Sequence, residues 1–316
     1  MAPKHSVFIP IYNEEDNILP LHKEIREVME NLPGTYEIIY VDDGSTDSSR
    51  EKILSLEDAR LIALNRNYGE SIAVDAGLKA AKGELIISLD GDGQNDPKDI
   101  PRLLNKLEKE GLDVVTGERI RRTDGLMKRA SSWLGFQFRR IILDDHIKDG
   151  GCTLRVYRRR AAKSLDVHCD MHRFIHVMLS WKGFKVGQIK VRDRGRKHGA
   201  SKYTMKKLVP GLIDMFYVWF MIKHSERPIH LFGRLSILSL AMTALTGGIA
   251  IYQRFQGTHL NHNGWFFLSI FFGLVTVMLF SFGIVLNTML RIYFNTSSYE
   301  ERYYAREIKR SRDTEV

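Results

Sequence analysis

The sequence predicts an α/β protein: a mostly parallel sheet flanked by helices, followed by a hairpin of two membrane-spanning helices. Three observations carry this. Apolar strands alternate with amphipathic helices over the first 120 residues. Acidic motifs close two of those strands at their carboxyl ends, where open α/β sheets bind ligands. Leu235–Tyr252 and Gly264–Leu290 hold no charged residue, and each is long enough to cross a hydrocarbon layer of about 30 Å as a helix.

Taken in order, Ser6–Ile11 reads as the first strand and residues 16–31 as the helix after it. The turn between them is Pro10-Ile-Tyr-Asn-Glu14, so the G-x-G-x-x-G of a dehydrogenase is missing where it would have to be. Glu37–Val41 is the second strand. It ends in Val41-Asp42-Asp43-Gly-Ser-Thr-Asp47, where Ser45 or Thr46 is expected to cap a helix over 47–56. Capping leaves two adjacent carboxylates at a strand end unexplained; Asp43 is expected to meet a base or ribose. Leu61–Leu64 and a helix over 70–81 follow.

Leu85–Leu89 is the fourth strand, and Asp90-Gly-Asp92-Gly-Gln94 stands at its carboxyl end. Two carboxylates and an amide oxygen form a hard, oxygen-rich cluster suited to Mg²⁺ or Mn²⁺, with room for a substrate diphosphate. Glycines such as Gly91 let the backbone approach that ligand. An EF-hand is excluded because its twelfth position falls on Pro101. A helix over 98–110 and the strand Asp113–Thr116 complete a parallel, right-handed, doubly wound pattern.

From 126 to 205 the chain is richer in basic and aromatic residues. Lys148–Tyr157 reads as a turn leading into a strand, Asp170–Gly183 as an amphipathic helix, and Lys185–Val191 as another strand. Arg194–Tyr203 is a strongly basic segment. Leu208–Ile222 is short and interrupted for a span, and is expected to lie in the bilayer interface.

Basic residues flank the spans on the same side: Lys206, Lys207, Lys223, Arg227 and Arg234 before the first, Arg291, Arg302, Arg306, Lys309, Arg310 and Arg312 after the second. The connector Gln253–Asn263 holds one basic residue, Arg254, plus two histidines. By the positive-inside rule both termini are expected in the cytoplasm, and with no secretory signal before the first strand the N-terminal domain is expected to stay there. Much of the net charge of +9 lies near these spans, pointing to anionic membrane lipid as partner and not to nucleic acid. Cys152 and Cys169 show no spacing pattern and are expected to be reduced.

In order, the chain carries I-P-I-Y-N-E, V-D-D-G-S-T-D, L-N-R-N-Y-G, L-D-G-D-G-Q-N-D-P, G-E-R, D-G-G-C-T-L-R-V-Y-R-R and G-A-S-K-Y, then two spans. This set resembles glycosyltransferase family 2, in the branch of dolichol-phosphate mannose synthase, and within it the bacterial undecaprenyl-phosphate glycosyltransferases of the bactoprenol glucosyl and aminoarabinose type. The resemblance implies a GT-A-like, Rossmann-like domain over 1–205, a juxtamembrane interfacial helix over 206–228, two transmembrane helices within 229–290 (about 231–252 and 265–288) and a basic tail over 291–316. It implies inverting transfer of a sugar from a nucleotide diphosphate sugar, UDP-linked, to polyprenyl phosphate at the cytoplasmic face of a bacterial inner membrane, for cell-envelope glycan or lipid A modification, by a homo-oligomer.

Carried over residue by residue, the resemblance puts the nucleotide at Pro10, Tyr12, Glu14, Val41, Asp43, Asp90 and Gly91, and metal and diphosphate at Asp90, Asp92 and Gln94. Arg119 matches the arginine closing its G-x-R, Arg196, Ser201 and Lys202 match its flexible basic loop before the membrane, and Asp149 matches its aspartate near the acceptor. Arg129 is a further cation candidate for bringing two anionic substrates together. Asp149 is read as orienting or base-like, or as holding an arginine. Gly91 stands where Ala is commoner, with no consequence expected. Two other readings are a processive polysaccharide synthase, which normally carries a Q-x-x-R-W absent here, and a catalytically inactive scaffold or flippase partner.

Overall fold

The computed structural model describes residues 2–120, 137, 140, 142–143, 145, 147–167, 171–194, 208–224 and 227–296. Its contacts divide the chain into two units, Met1–Val218 and Trp219–Val316.

In the first unit the apolar runs become strands β1 (His5–Ile11), β2 (Tyr36–Asp42), β3 (Ala59–Ala63), β4 (Leu85–Ser88), β5 (Val114–Ile120), β6 (Arg155–Arg158) and β7 (Val186–Arg192). They form one sheet in the order β3-β2-β1-β4-β6-β5-β7. β1, β2, β3 and β4 pair in parallel, as do β5 and β7. β6 lies antiparallel between β4 and β5. The sheet is mostly parallel, as expected, but β5 reaches β4 only through a strand supplied about forty residues later.

Four helices pack on this frame: α1 (Glu15–Glu30), α2 (Ser49–Leu54), α3 (Glu70–Ala80) and α4 (Ile100–Lys109). α1 turns Ile18, Leu21, Ile25 and Met29 inward, the spacing of one helical face. α4 does the same with Ile100, Leu103, Leu104 and Leu107. These side chains share one core with Val7, Ile9, Ile38, Tyr40, Ile87 and Val156. The expected helix over 170–183 is shorter: a 3₁₀ turn at Met171–Phe174 leads into α6 (Ile175–Trp181), after α5 (Arg159–Lys163).

α7 (Leu208–His224) covers the segment expected to be interfacial. Between Ile213 and Ile222 its only charged residue is Asp214, so it lacks the broad polar face of an in-plane amphipathic helix. α8 (Pro228–Phe255) and α9 (Gly264–Thr296) follow, longer than the expected spans. Pro228–Phe255 and Gly264–Ile292 are both long and apolar enough to cross a membrane. Large side chains such as Ile237, Leu274 and Val277 face outward. Small and hydroxylated residues meet between the helices: Ser239 Oγ donates to the Phe272 carbonyl at 2.8 Å, and Gly273 lies against Thr243. Apolar outside with small residues inside is the pattern of a pair packed in lipid.

Candidate active site

The strand order turns at β1, with β2 and β3 to one side and β4 to the other. The turns after β1 and β4 meet at the strands' carboxyl ends, where Gly91 lies against Ile11 and Pro10, and a crevice opens beside them. It is lined by Pro10 of β1, Ser88 of β4, Asp90, Glu70 at the start of α3, and Arg155 of β6.

The acidic loop after β4 is held by its own side chains. Asp90 N–H donates to Asn95 Oδ1 at 3.0 Å, and Thr153 Oγ1 donates to the same oxygen at 2.9 Å. Gln94 N–H donates to Asp92 Oδ1 at 3.0 Å, a local turn that needs Gly93 at φ +72°. Arg194 N–H donates to the Gln94 carbonyl at 3.0 Å, tying the loop to the end of β7. Burial, then the nearby carboxylates of Glu70 and Asp92, push the Asp90 carboxyl up to about 8.

Among the described residues no three His, Cys, Asp or Glu side chains converge to hold a cation. The oxygens of Asp90, Asp92 and Gln94 fit Mg²⁺ or Mn²⁺ as a partial shell, which substrate oxygens would have to complete. A Cβ at Gly91 would lie 2.3 Å from Ile11 Cδ1, so this glycine has a consequence that sequence reasoning missed.

The two N-terminal motifs knit together. Asn13 N–H donates to Ser45 Oγ at 3.0 Å, and Thr46 N–H to Asn13 Oδ1 at 2.8 Å. Ser45 and Thr46 thus do not cap α2; the partner from the turn after β1 wins over the local one. Asp42 is buried, taking Ser45 N–H and Arg50 Nε at 2.9 Å each. Asp43 accepts the N–H groups of Tyr68 (2.7 Å) and Gly69 (2.9 Å), fixing the loop before α3. Val41 is buried in β2, Tyr12 is half-buried, and Glu14 Oε2 takes Asn17 Nδ2 at 2.6 Å.

On the far side Arg119, from β5, pairs with Asp149 through Nε (2.8 Å) and a terminal nitrogen (3.0 Å). Burial opposes the guanidinium charge, but the carboxylate outweighs it, and the Arg119 pKa is raised. Burial, then Asp149, push the Cys152 thiol up to about 12, which makes it an inert core group. Arg155 clamps two segments, donating to the His172 carbonyl at 3.1 Å and the Gly150 carbonyl at 2.8 Å.

The structure thus gathers Pro10, Asp90 and the acidic loop at one crevice. Arg129, Arg196, Ser201 and Lys202, like Cys169, lie outside the described residues. Sequence reasoning missed Asn95, Thr153, Arg155, Glu70 and His172. The first three sit inside the quoted motifs and were legible; a buried histidine a hundred residues from its partner carries no local signal.

Residues 6–166 match the family described as Glycosyl transferase family 2. The chain is 32% identical over 315 residues to a dodecaprenyl-phosphate galacturonate synthase of Rhizobium johnstonii, covering 96% of this chain and 92% of the relative. It is 31% identical over 315 residues to an undecaprenyl-phosphate 4-deoxy-4-formamido-L-arabinose transferase of Aeromonas hydrophila, covering 98% and 95%. Glucosyl-3-phosphoglycerate synthase of Mycobacterium tuberculosis, solved with Mn²⁺, uridine diphosphate and phosphoglyceric acid, aligns with a TM-score of 0.56 at 17% identity over 70% of this chain and 78% of that one. That likeness is one of fold, the GT-A-like arrangement. With its family match spanning half the chain and relatives matching end to end, this protein belongs to glycosyltransferase family 2.

Proposed function

We propose that the chain transfers a sugar, with inversion, from a UDP-linked donor to a polyprenyl phosphate at the cytoplasmic face of a bacterial inner membrane, in envelope glycan or lipid A modification. The observation that carries this is an acidic loop, preformed at the β1/β4 crevice, on a chain that also holds two membrane-length apolar helices. Relatives named for sugar transfer to dodecaprenyl and undecaprenyl phosphate support the acceptor class.

Pro10, Tyr12, Glu14, Val41 and Asp43 would hold the nucleotide, and Asp90, Asp92 and Gln94 its diphosphate side. A Mg²⁺ or Mn²⁺ bound there supplies Lewis-acid relief of charge on the leaving diphosphate. The acceptor is a phosphate monoester with second pKa near 6, already largely dianionic at neutral pH, so no strong base is required. The harder task is to bring two anions together, which calls for fixed cations. Arg119, held by Asp149, is one; Arg129, Arg196 and Lys202, with Ser201, are assigned to the acceptor phosphate. The isoprenoid tail keeps that phosphate at headgroup depth, which gives the apolar helices their purpose.

The test uses membranes bearing the full chain, undecaprenyl phosphate, labelled nucleotide sugars and Mn²⁺ or Mg²⁺. A labelled lipid carrying one sugar is expected, and Asp92→Ala should abolish it. Undiminished product in that variant would refute the diphosphate assignment.

A further inference from the structure

Glu70 opens α3, where the partial positive charge of a helix start favours any carboxylate. That preference does not account for what surrounds it. Glu70 lines the crevice together with Asp90, so a further acid stands beside one of the two that are to hold a cation. It is also aimed. Ser71 Oγ accepts the His172 backbone N–H at 3.3 Å and lies 2.8 Å from His172 Nδ1. With the hydroxyl proton given to Nδ1, the ring proton is assigned to Nε2, which faces Glu70 Oε2 at 3.4 Å. His172 is buried, while the Glu70 side chain keeps 46% of its surface exposed.

An independent observation points to a ligand in the same place. Arg155 and Tyr157, 3% and 0% exposed, line this crevice, and their Nε and Oη, themselves closed to solvent, find no hydrogen-bond partner among the described residues. Buried donors left unmet are costly, so such atoms ordinarily meet a ligand or water. Two buried, unmet donors beside a half-exposed carboxylate suit a hydroxyl-bearing ligand, since each hydroxyl both donates and accepts.

We propose that Glu70 reads a hydroxyl of the donor sugar and so sets donor specificity, with His172 as its positioning residue. The substrate class is a sugar with a free hydroxyl at the position read; an acidic substituent there would be repelled. This rests on the transferase reading above.

The test takes the full-length protein in vesicles containing undecaprenyl phosphate. The best of a panel of UDP-hexoses, UDP-uronates and UDP-amino sugars is found first, then its monodeoxy analogues are compared. One analogue should lose roughly tenfold to a hundredfold in kcat/KM with the native protein. Glu70→Ala and the isosteric Glu70→Gln should lose a similar factor on the parent donor and nothing further on that analogue, with UDP affinity kept. His172→Asn should flatten the same preference in part. A merely structural role would lower all donors alike, and an unchanged ranking in both Glu70 variants overturns the proposal. Absence of transfer from every donor by the native protein would overturn the transferase reading itself.

Discussion

Asp149 grips Arg119 at three points: its Oδ2 takes Nε at 2.8 Å and the backbone N–H at 3.2 Å, while Oδ1 takes a terminal nitrogen at 3.0 Å. A carboxylate so engaged serves to aim the arginine. Asp149→Asn should lower kcat about a hundredfold by the same factor at every pH, since the Arg119 cation is no longer held in place. A pH–rate profile that loses only its acidic limb would show a base instead. Arg119→Lys should not rescue function, because an ammonium cannot reproduce the bidentate fork.

Asp90 gives a pH dependence. Its carboxyl is raised to about 8 by burial and by Glu70 and Asp92, so in the metal-free protein it keeps a proton that the unfolded chain has lost. Stability therefore falls as pH rises from the ordinary carboxylate value through about 8. Asp90→Asn should remove that slope, leaving the variant more heat-resistant than the native protein at pH 9 without metal. Cation binding requires the deprotonated group, so Mn²⁺ affinity of the native protein should weaken as pH falls through the same range. Thermal melts and Mn²⁺ titrations at several pH values check both.

Two glycines should respond differently to alanine. A Cβ at Gly150 would lie 2.5 Å from His176 Cε1, in a ring whose Nε2 is held by Asp145 at 3.0 Å. Gly150→Ala should cost about 1–3 kcal/mol of stability by overpacking. It should also reduce activity, since Asp149 is adjacent. At Gly91 the nearest atom is the terminal Cδ1 of Ile11, which a rotamer change can move where a hydrogen-bonded ring cannot, and Gly91→Ala should cost less. Denaturant midpoints of the two variants decide it.

Lys202→Ala should raise KM for polyprenyl phosphate and slow turnover while UDP affinity stays near the native value. Calorimetric UDP titration beside acceptor kinetics separates these. Equal loss of both would move Lys202 to the donor site.

The connector between α8 and α9 should lie outside the membrane. Thr258→Cys, in a background with Cys152 and Cys169 replaced, should react with a membrane-impermeant maleimide on intact spheroplasts. Protection until the cells are lysed would invert the topology.

Much of the crevice was legible because β1, β2 and β4 are apolar runs that stop at acidic or glycine turns. What escaped involves distant partners. Ser45 and Thr46 carry a capping signal, yet Asn13, more than thirty residues away, takes them. β6 is a four-residue strand, Arg155–Arg158, and a charged first residue hides a place at mid-sheet. Arg155 is tolerated there because two carbonyls receive it. Reading Lys148–Tyr157 as a turn and strand was sound, but nothing local says that it inserts between β4 and β5.

That late insertion bears on how the enzyme is made. During synthesis the ribosome releases β1 to β5 well before Arg155–Arg158, so the half-sheet waits with an open seam beside the acidic loop. Thr153 and Arg155 arrive with the closing strand. A nascent chain thus gains a finished crevice only shortly before its two long apolar helices emerge.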